Sequence, residues 1–260
     1  MKKTIPILLL VMFFAAAAWY SLTRRPEPVD ELAPPVAVPE SPIETQQPDP
    51  GLDEQVSDIE PVPVPEPLPN LNESDNEVTG VMADMVGADP VGEYLVKDQV
   101  VSRIVATIDS LTSRQVPAPI NPIKLADGKF ITSGEGENTV ISADNHTRYD
   151  AYVSLLQGLD NDAVLGFYTR YYPLFQQAWE ENGGEGTFND RLLEVIDHLL
   201  VTPDVEGDIY LVKPEAVYLF ADPELEALSA GRKILLRMGP DNATAVKRKL
   251  GEIRNVFLEN

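Results

Sequence analysis

The sequence predicts a mainly α protein: a helical globular domain with one small β-hairpin, preceded by an N-terminal transmembrane helix and a disordered proline-rich spacer. Three observations predict it. Residues 5–22 form an almost unbroken apolar run. Residues 26–69 hold 13 prolines, 11 acidic residues and no Lys or Arg. From residue 70 onward, apolar residues recur three and four apart between cap and breaker signals. The boundaries follow as 1–25 for a membrane anchor, 26–69 for the spacer and 70–260 for the globular domain.

The anchor begins after Lys2 and Lys3, and within residues 5–22 only Pro6 and Ser21 are neither apolar nor aromatic. Such a length is near the lower limit for a spanning helix. Trp19 and Tyr20 fall where an interfacial aromatic belt belongs, and Arg24 and Arg25 close the segment. A cleaved signal peptide is the competing reading, because Ala16-Ala17-Ala18 offers small residues at a cleavage position. The run continues past those alanines through two bulky rings, which favours the anchor. Lys2, Lys3 and the α-amino group slightly outweigh the two arginines, which favours a cytoplasmic N-terminus and a periplasmic C-terminal domain. Proline fixes φ and donates no hydrogen bond, so the spacer cannot be helix or central strand. Its uniform negative charge extends it. The same proline content would also suit a ligand for a proline-recognition domain.

In the domain, Ser74-Asp75-Asn76-Glu77 has the spacing of a capping box and should start a helix ending near Gly87. A second helix is expected over 91–111, with Val100, Val101, Ile104, Val105, Ile108 and Leu111 on one face. Pro117, Pro119 and Pro122 then break the chain. Residues 130–132 and 139–141 flank a Gly-rich turn and predict the hairpin. Helices are expected over 150–159, 161–181 (kinked or broken at Pro173), and 189–200. Ile209 to Val212 is extended. Asp222-Pro223 should open one helix reaching Met238, and Gly239-Pro240 separates it from a last helix ending near Leu258.

The chain of 260 residues has a net charge of −22 and no cysteine. Residues 70–260 carry 16 basic against 31 acidic residues, a net charge of −15. A domain that acidic repels phosphate backbones and anionic headgroups, so no nucleic-acid partner is expected. The missing cysteine removes disulfides, thiolate metal sites and thiol nucleophiles. No cofactor and no metal are expected.

The most polar helix, 189–200, carries Asp190, Arg191, Glu194, Asp197 and His198. Glu194 lies four residues from Asp190 and four from His198, so the three share a face. The weak catalytic candidates are therefore Glu194, Asp197 and His198, as a carboxylate pair for acid/base work. As a metal site the cluster lacks the second histidine of a helical zinc motif, and His146 is the only other histidine in the chain. Ordinary intrahelical ion pairs, with one residue tying two helices together, account for the same pattern. Arg237 should pair with a buried carboxylate or a helix C-terminus. Gly134-Glu135-Gly136 carries no lysine, which suits a hairpin turn and not a phosphate cradle. The rings of Phe167, Tyr168, Tyr171, Tyr172, Phe175 and Trp179 span more than one helix face. Tyr168, Tyr171 and Trp179 are accordingly the expected partner-binding residues.

Several blocks then converge: Leu68-Pro69-Asn70-Leu71-Asn72-Glu73-Ser74-Asp75, Tyr172-Pro173-Leu174-Phe175-Gln176, Phe188-Asn189-Asp190-Arg191-Leu192, Glu194-Val195-Ile196-Asp197-His198-Leu199-Leu200, Ala221-Asp222-Pro223-Glu224-Leu225-Glu226 and Leu235-Leu236-Arg237-Met238-Gly239-Pro240. Together they resemble a domain-of-unknown-function family of proteobacterial membrane proteins (DUF 3014). The resemblance spans about residues 68–255. It implies the layout of anchor, proline-rich linker and soluble domain, and it implies no activity. The expected function is a membrane-tethered envelope protein of the inner membrane, single-pass, acting as a non-catalytic interaction or scaffold module for a protein partner in the envelope. The alternative is an envelope hydrolase using a carboxylate pair on the 189–200 helix.

Overall fold

A computed structural model describes residues 67–124, 129–214 and 217–259. The expected anchor at 5–22 and almost all of the expected spacer lie outside these residues. Among the described residues there are nine α-helices: α1 Asp75–Val86, α2 Ala88–Tyr94, α3 Val100–Ser110, α4 Thr147–Gln157, α5 Asn161–Glu181, α6 Phe188–Leu200, α7 Pro223–Glu226, α8 Ala230–Arg237 and α9 Pro240–Glu259. Two small antiparallel sheets accompany them, β1 Thr132–Ser133 with β2 Val140–Ile141, and β3 Leu211–Val212 with β4 Leu219–Phe220. No helix among the described residues is long and apolar enough to cross a membrane.

The long helix α5 packs against both α3 and α9, while α6 closes on α3, α5 and α9, and α4 lies along α9. The apolar face predicted for α3 is buried throughout, from Val100 to Leu111. Its N-terminus is capped from a distance. The Asp75 carboxylate accepts the Gln99 and Val100 amides, each at 2.8 Å, where the left-handed Gln99 (φ 53°) offers no cap of its own. Helix α1 begins and ends where expected, by a different route from a capping box. Ser74 is fully buried, and its hydroxyl donates backward to the Leu71 carbonyl at 2.7 Å. Glu77 accepts from the Tyr171 hydroxyl at 2.9 Å.

Two helices expected as single elements are each divided. The 91–111 stretch breaks at Leu95, where the backbone pairs with Ile123 instead of continuing the helix, and Val96 N–H donates to the Pro122 carbonyl at 2.8 Å. The 222–238 stretch breaks at Ser229. Its side chain accepts the Arg232 amide and starts α8 anew. The first amides of α8 then find partners outside the helix, Ala230 N–H on the Ser113 carbonyl at 2.7 Å and Gly231 N–H on the Leu111 carbonyl at 3.0 Å. A Cβ on Gly231 would fall 2.6 Å from Leu199 Cδ2 and 2.9 Å from the Leu111 oxygen, so this docking requires glycine.

Pro173 neither breaks nor ends α5, which runs the full length expected. The ring is on the exposed side, where water can take the carbonyl that proline leaves without a donor. The hairpin predicted around 130–141 forms, with Thr132 opposite Ile141. A second β-pair, β3 with β4, was not expected; only the extended 209–212 stretch was. An isolated bridge between Val140 and Tyr210 joins the two pairs. The inner side of this β region, with Phe130, Leu211, Phe220 and Leu236, forms a second small core beside the helical one.

Candidate functional site

The aromatic residues expected on the surface are in the core. Tyr168, Tyr171 and Trp179 are buried with relative exposures of 5%, 3% and 8%. They pack in a ring cluster that continues through Phe188, whose ring stacks on Phe175 at 5.8 Å and an interplanar angle of 6°. The predicted contact patch is therefore not an exposed surface, because α3, α6 and α9 pack against α5 and Glu77 of α1 meets the Tyr171 hydroxyl. Tyr171 keeps a partner in Glu77, and burial followed by that hydrogen bond pushes its pKa up to about 12. Tyr168 is raised further, first by burial and then by Tyr172 and Asp190, and its hydroxyl has no hydrogen-bond partner among the described residues. An unpaired buried hydroxyl costs stability. Tyr168→Phe should stabilise the domain by about 1 kcal/mol, and Tyr171→Phe should destabilise it by about 1 kcal/mol. Urea denaturation of the two variants beside the parent chain checks the opposite signs.

The polar helix α6 is organised around Arg191. Its guanidinium donates to the Asp109 carboxylate at 2.7 Å, the Asp109 carbonyl at 3.0 Å and the Thr112 hydroxyl at 2.6 Å, and pairs with Glu194 at 2.8 Å. It thus ties α6 to the C-terminal end of α3, where a cation is favoured. Glu194 is exposed and lines a shallow groove of about 380 Å³ with Asp109, Trp179, Asp190 and Arg191. Asp197 is exposed, pairs with Arg254 of α9 and is not part of that groove. His198 turns away toward α8, where its Nε2 lies 2.7 Å from the Ser229 hydroxyl and its carbonyl accepts Arg232 Nε at 2.9 Å. The structure thus separates the candidates Glu194, Asp197 and His198, while Asp190 and Glu194 line the same groove. Among the described residues no group of three or more His, Asp or Glu could hold a metal ion.

Burial, then Arg232 and Arg191, hold the His198 pKa below its ordinary value. The unfolded chain then binds the proton more readily, so stability rises with pH across this window. It is lost as pH falls from about 6.5, the ordinary histidine value, through the lower folded-state value. Chemical denaturation at pH 7.5 and 5.0 should show the parent chain losing more stability on acidification than His198→Gln.

Arg237, expected to pair with a buried carboxylate or a helix C-terminus, is 4% exposed, with its guanidinium 4.8 Å from the centre of the Phe220 ring. The charge on Glu226 favours its ionised form against the desolvation that lowers its pKa. Glu226 also pairs with the buried Lys233 at 2.9 Å and accepts the Phe220 amide at 2.9 Å.

A further concavity among the described residues was not anticipated from the sequence. A cavity of about 510 Å³ opens between the 202–209 loop, the C-terminal end of α8 and the N-terminal end of α9. Its size is that of a small-ligand pocket. Leu235, Leu236 and Ala243 give buried apolar walls; Ile141, Val205 and Ile209 are half-buried around them. The Lys247 ammonium reaches across the loop to the Thr202 carbonyl at 3.1 Å and Asp204 at 2.6 Å. His146 stands against Gly239, whose φ of +89° starts α9, and a Cβ there would fall 2.5 Å from the imidazole Cγ. The signal available in the sequence was Thr202-Pro203 and Gly239-Pro240, two turns far apart in the chain with nothing in their spacing to pair them.

Fold and cavity define an acidic, mainly helical domain with a lateral pocket against a small β-region. The chain belongs to the family of proteins of unknown function DUF3014, whose model matches residues 100–254. That span takes in α3 to most of α9, and with them every residue lining the cavity. No curated protein and no solved structure matches the chain.

Proposed function

We propose that this protein is a membrane-tethered binding module of the bacterial inner membrane, single-pass, with its globular domain in the periplasm and a small ligand or short segment of a partner held in the cavity beside α9. The observation that carries the binding role is the cavity itself: buried leucines form its walls and convergent polar groups ring its opening. The tether rests on the apolar run at 5–22, and the reach on the acidic proline-rich stretch that follows. A domain of net charge −15 is poorly suited to nucleic acid or to an anionic lipid surface, which leaves an envelope partner.

Thr244 is exposed and lines the cavity from α9, so Thr244→Trp fills it with little cost to the fold. Saturation-transfer NMR of the full chain in nanodiscs, with a mixture of small amphiphiles, is expected to find binders whose signals vanish in Thr244→Trp. Signals that survive the substitution, or none at all, would remove the cavity from the function. Protease treatment of spheroplasts tests the topology: digestion of the domain supports the periplasmic orientation, and protection reverses it.

A further inference from the structure

The sign of charge around the cavity is lopsided. Three carboxylates, Asp204, Glu206 and Asp208, line it from one loop, and the one lysine on the lining is Lys247. That ammonium is already engaged by the Thr202 carbonyl and the Asp204 carboxylate. No ion pair among the described residues engages Glu206 or Asp208, and both are exposed at the opening. Behind them the accessible apolar lining comes from the half-buried Ile141, Val205 and Ile209 and the edge of Leu236 at 8% exposure, with Leu235 fully buried beneath.

We infer that the cavity takes an amphipathic cation: a primary ammonium carried on an unbranched apolar chain, with the chain against Leu236, Val205 and Ile209 and the ammonium between Glu206 and Asp208. This rests on the reading of the cavity as a ligand site and adds the ligand's class. An apolar wall alone gives affinity without choice of charge. Two carboxylates at the opening of a low-dielectric pocket supply the choice, since a cation there gains attraction that a neutral group of equal shape does not. An anion meets the same carboxylates as repulsion, and Lys247 cannot compensate without giving up Asp204. A volume near 510 Å³ limits the occupant to a small amine or to one lysine side chain with its neighbour, excluding a folded partner.

The test uses probes that share one apolar body. Hexylammonium, hexanol and hexanoate are titrated into the full chain in nanodiscs, with Thr244→Trp as the blank. Hexylammonium is expected to bind about tenfold more tightly than hexanol, with hexanoate weaker than both. The preference should fall to near parity in the double variant Glu206→Gln with Asp208→Asn, whose exposed positions leave the core untouched. Equal binding of hexanol and hexylammonium, or a preference unchanged in the double variant, overturns the cation assignment while leaving the cavity a ligand site. Preference for hexanoate overturns it as well and transfers the polar role to Lys247. Binding of none of the three, or equal binding by the blank, overturns the ligand site and the assignment together. Given the expected preference, 1,6-diaminohexane and a Leu-Lys dipeptide amide separate the sources: the tighter of the two tells whether a free amine or a peptide lysine is the natural form.

Discussion

Replacing Glu226 by Ala is expected to destabilise the domain by about 3 kcal/mol, the lower end of the range for breaking a buried ion pair. One carboxylate here serves three groups. Its Oε1 accepts Lys233 Nζ at 2.9 Å, its Oε2 accepts the Phe220 amide at 2.9 Å, and its charge favours the ionised form of Arg237. Lys233 and Arg237 are 8% and 4% exposed, so neither can turn to water when the carboxylate is lost. Glu226 itself keeps 28% of its side chain accessible, and this solvent screening keeps the effect from the upper end. The companion variant Glu226→Leu with Lys233→Met removes both members of the ion pair and should recover only the part of the loss due to Lys233, because the Phe220 amide and Arg237 still lack the carboxylate. Urea unfolding of the two variants isolates that part. An equal loss in both would mean that the pair with Lys233 is not what Glu226 contributes.

The helices were legible wherever periodicity and punctuation agreed. The α3 face from Val100 to Leu111 and the bounds of α5 followed from spacing three and four, although a kink or break was expected at Pro173 and the Asp160 cap was not singled out. The breaks at Leu95 and Ser229 were not legible, because both depend on groups distant in sequence. Leu95 is drawn into pairing with Ile123, and Ser229 restarts a helix whose first amides need the Leu111 and Ser113 carbonyls. Propensity within a window cannot register a competing partner 28 or more residues away. A different reason hid β4. The extended stretch at 209–212 carried a β signal, and its partner at 219–220 is too short to show an alternation of its own.

The site was less legible than the fold. Residue chemistry drew attention to α6, where Asp190, Arg191, Glu194, Asp197 and His198 crowd together, and the structure resolves them into separate ties to α3, α8 and α9. Four-residue spacing places side chains on one face of a helix, but it cannot say whether that face looks into a cleft or onto three neighbours. The cavity is built from turn residues, leucines, a short acidic loop, one histidine and one lysine, brought together from 133–146, 202–209 and 235–247. Nothing in any one of those segments is chemically unusual. Its acidic character is visible in the sequence as Asp204-Val205-Glu206-Gly207-Asp208, although a short acidic loop acquires meaning only once leucines are known to stand behind it.

Phe188→Ala is expected to cost about 3 to 5 kcal/mol, the usual range for deleting a fully buried aromatic ring. Phe188 is the first residue of α6 and is 0% exposed. Its ring stacks on Phe175 and lies 6.2 Å from Trp179 and 6.5 Å from Tyr168, so its loss opens a void bordered by rings that cannot all shift inward together. Its amide meanwhile donates to the Gln176 side chain at 2.8 Å, which holds the start of α6 against α5 even without the ring. The backbone therefore resists collapse into the void, which places the cost in the upper half of that range. The measurement is the urea midpoint and slope of Phe188→Ala compared with Phe188→Leu. The Leu variant should recover about half the loss by refilling volume without the stacking geometry. A loss below 1 kcal/mol in Phe188→Ala would mean that the cluster joining Tyr168, Phe175 and Trp179 is not the centre of this core. The burial of Tyr168, Tyr171 and Trp179 would then no longer bar them from a contact surface.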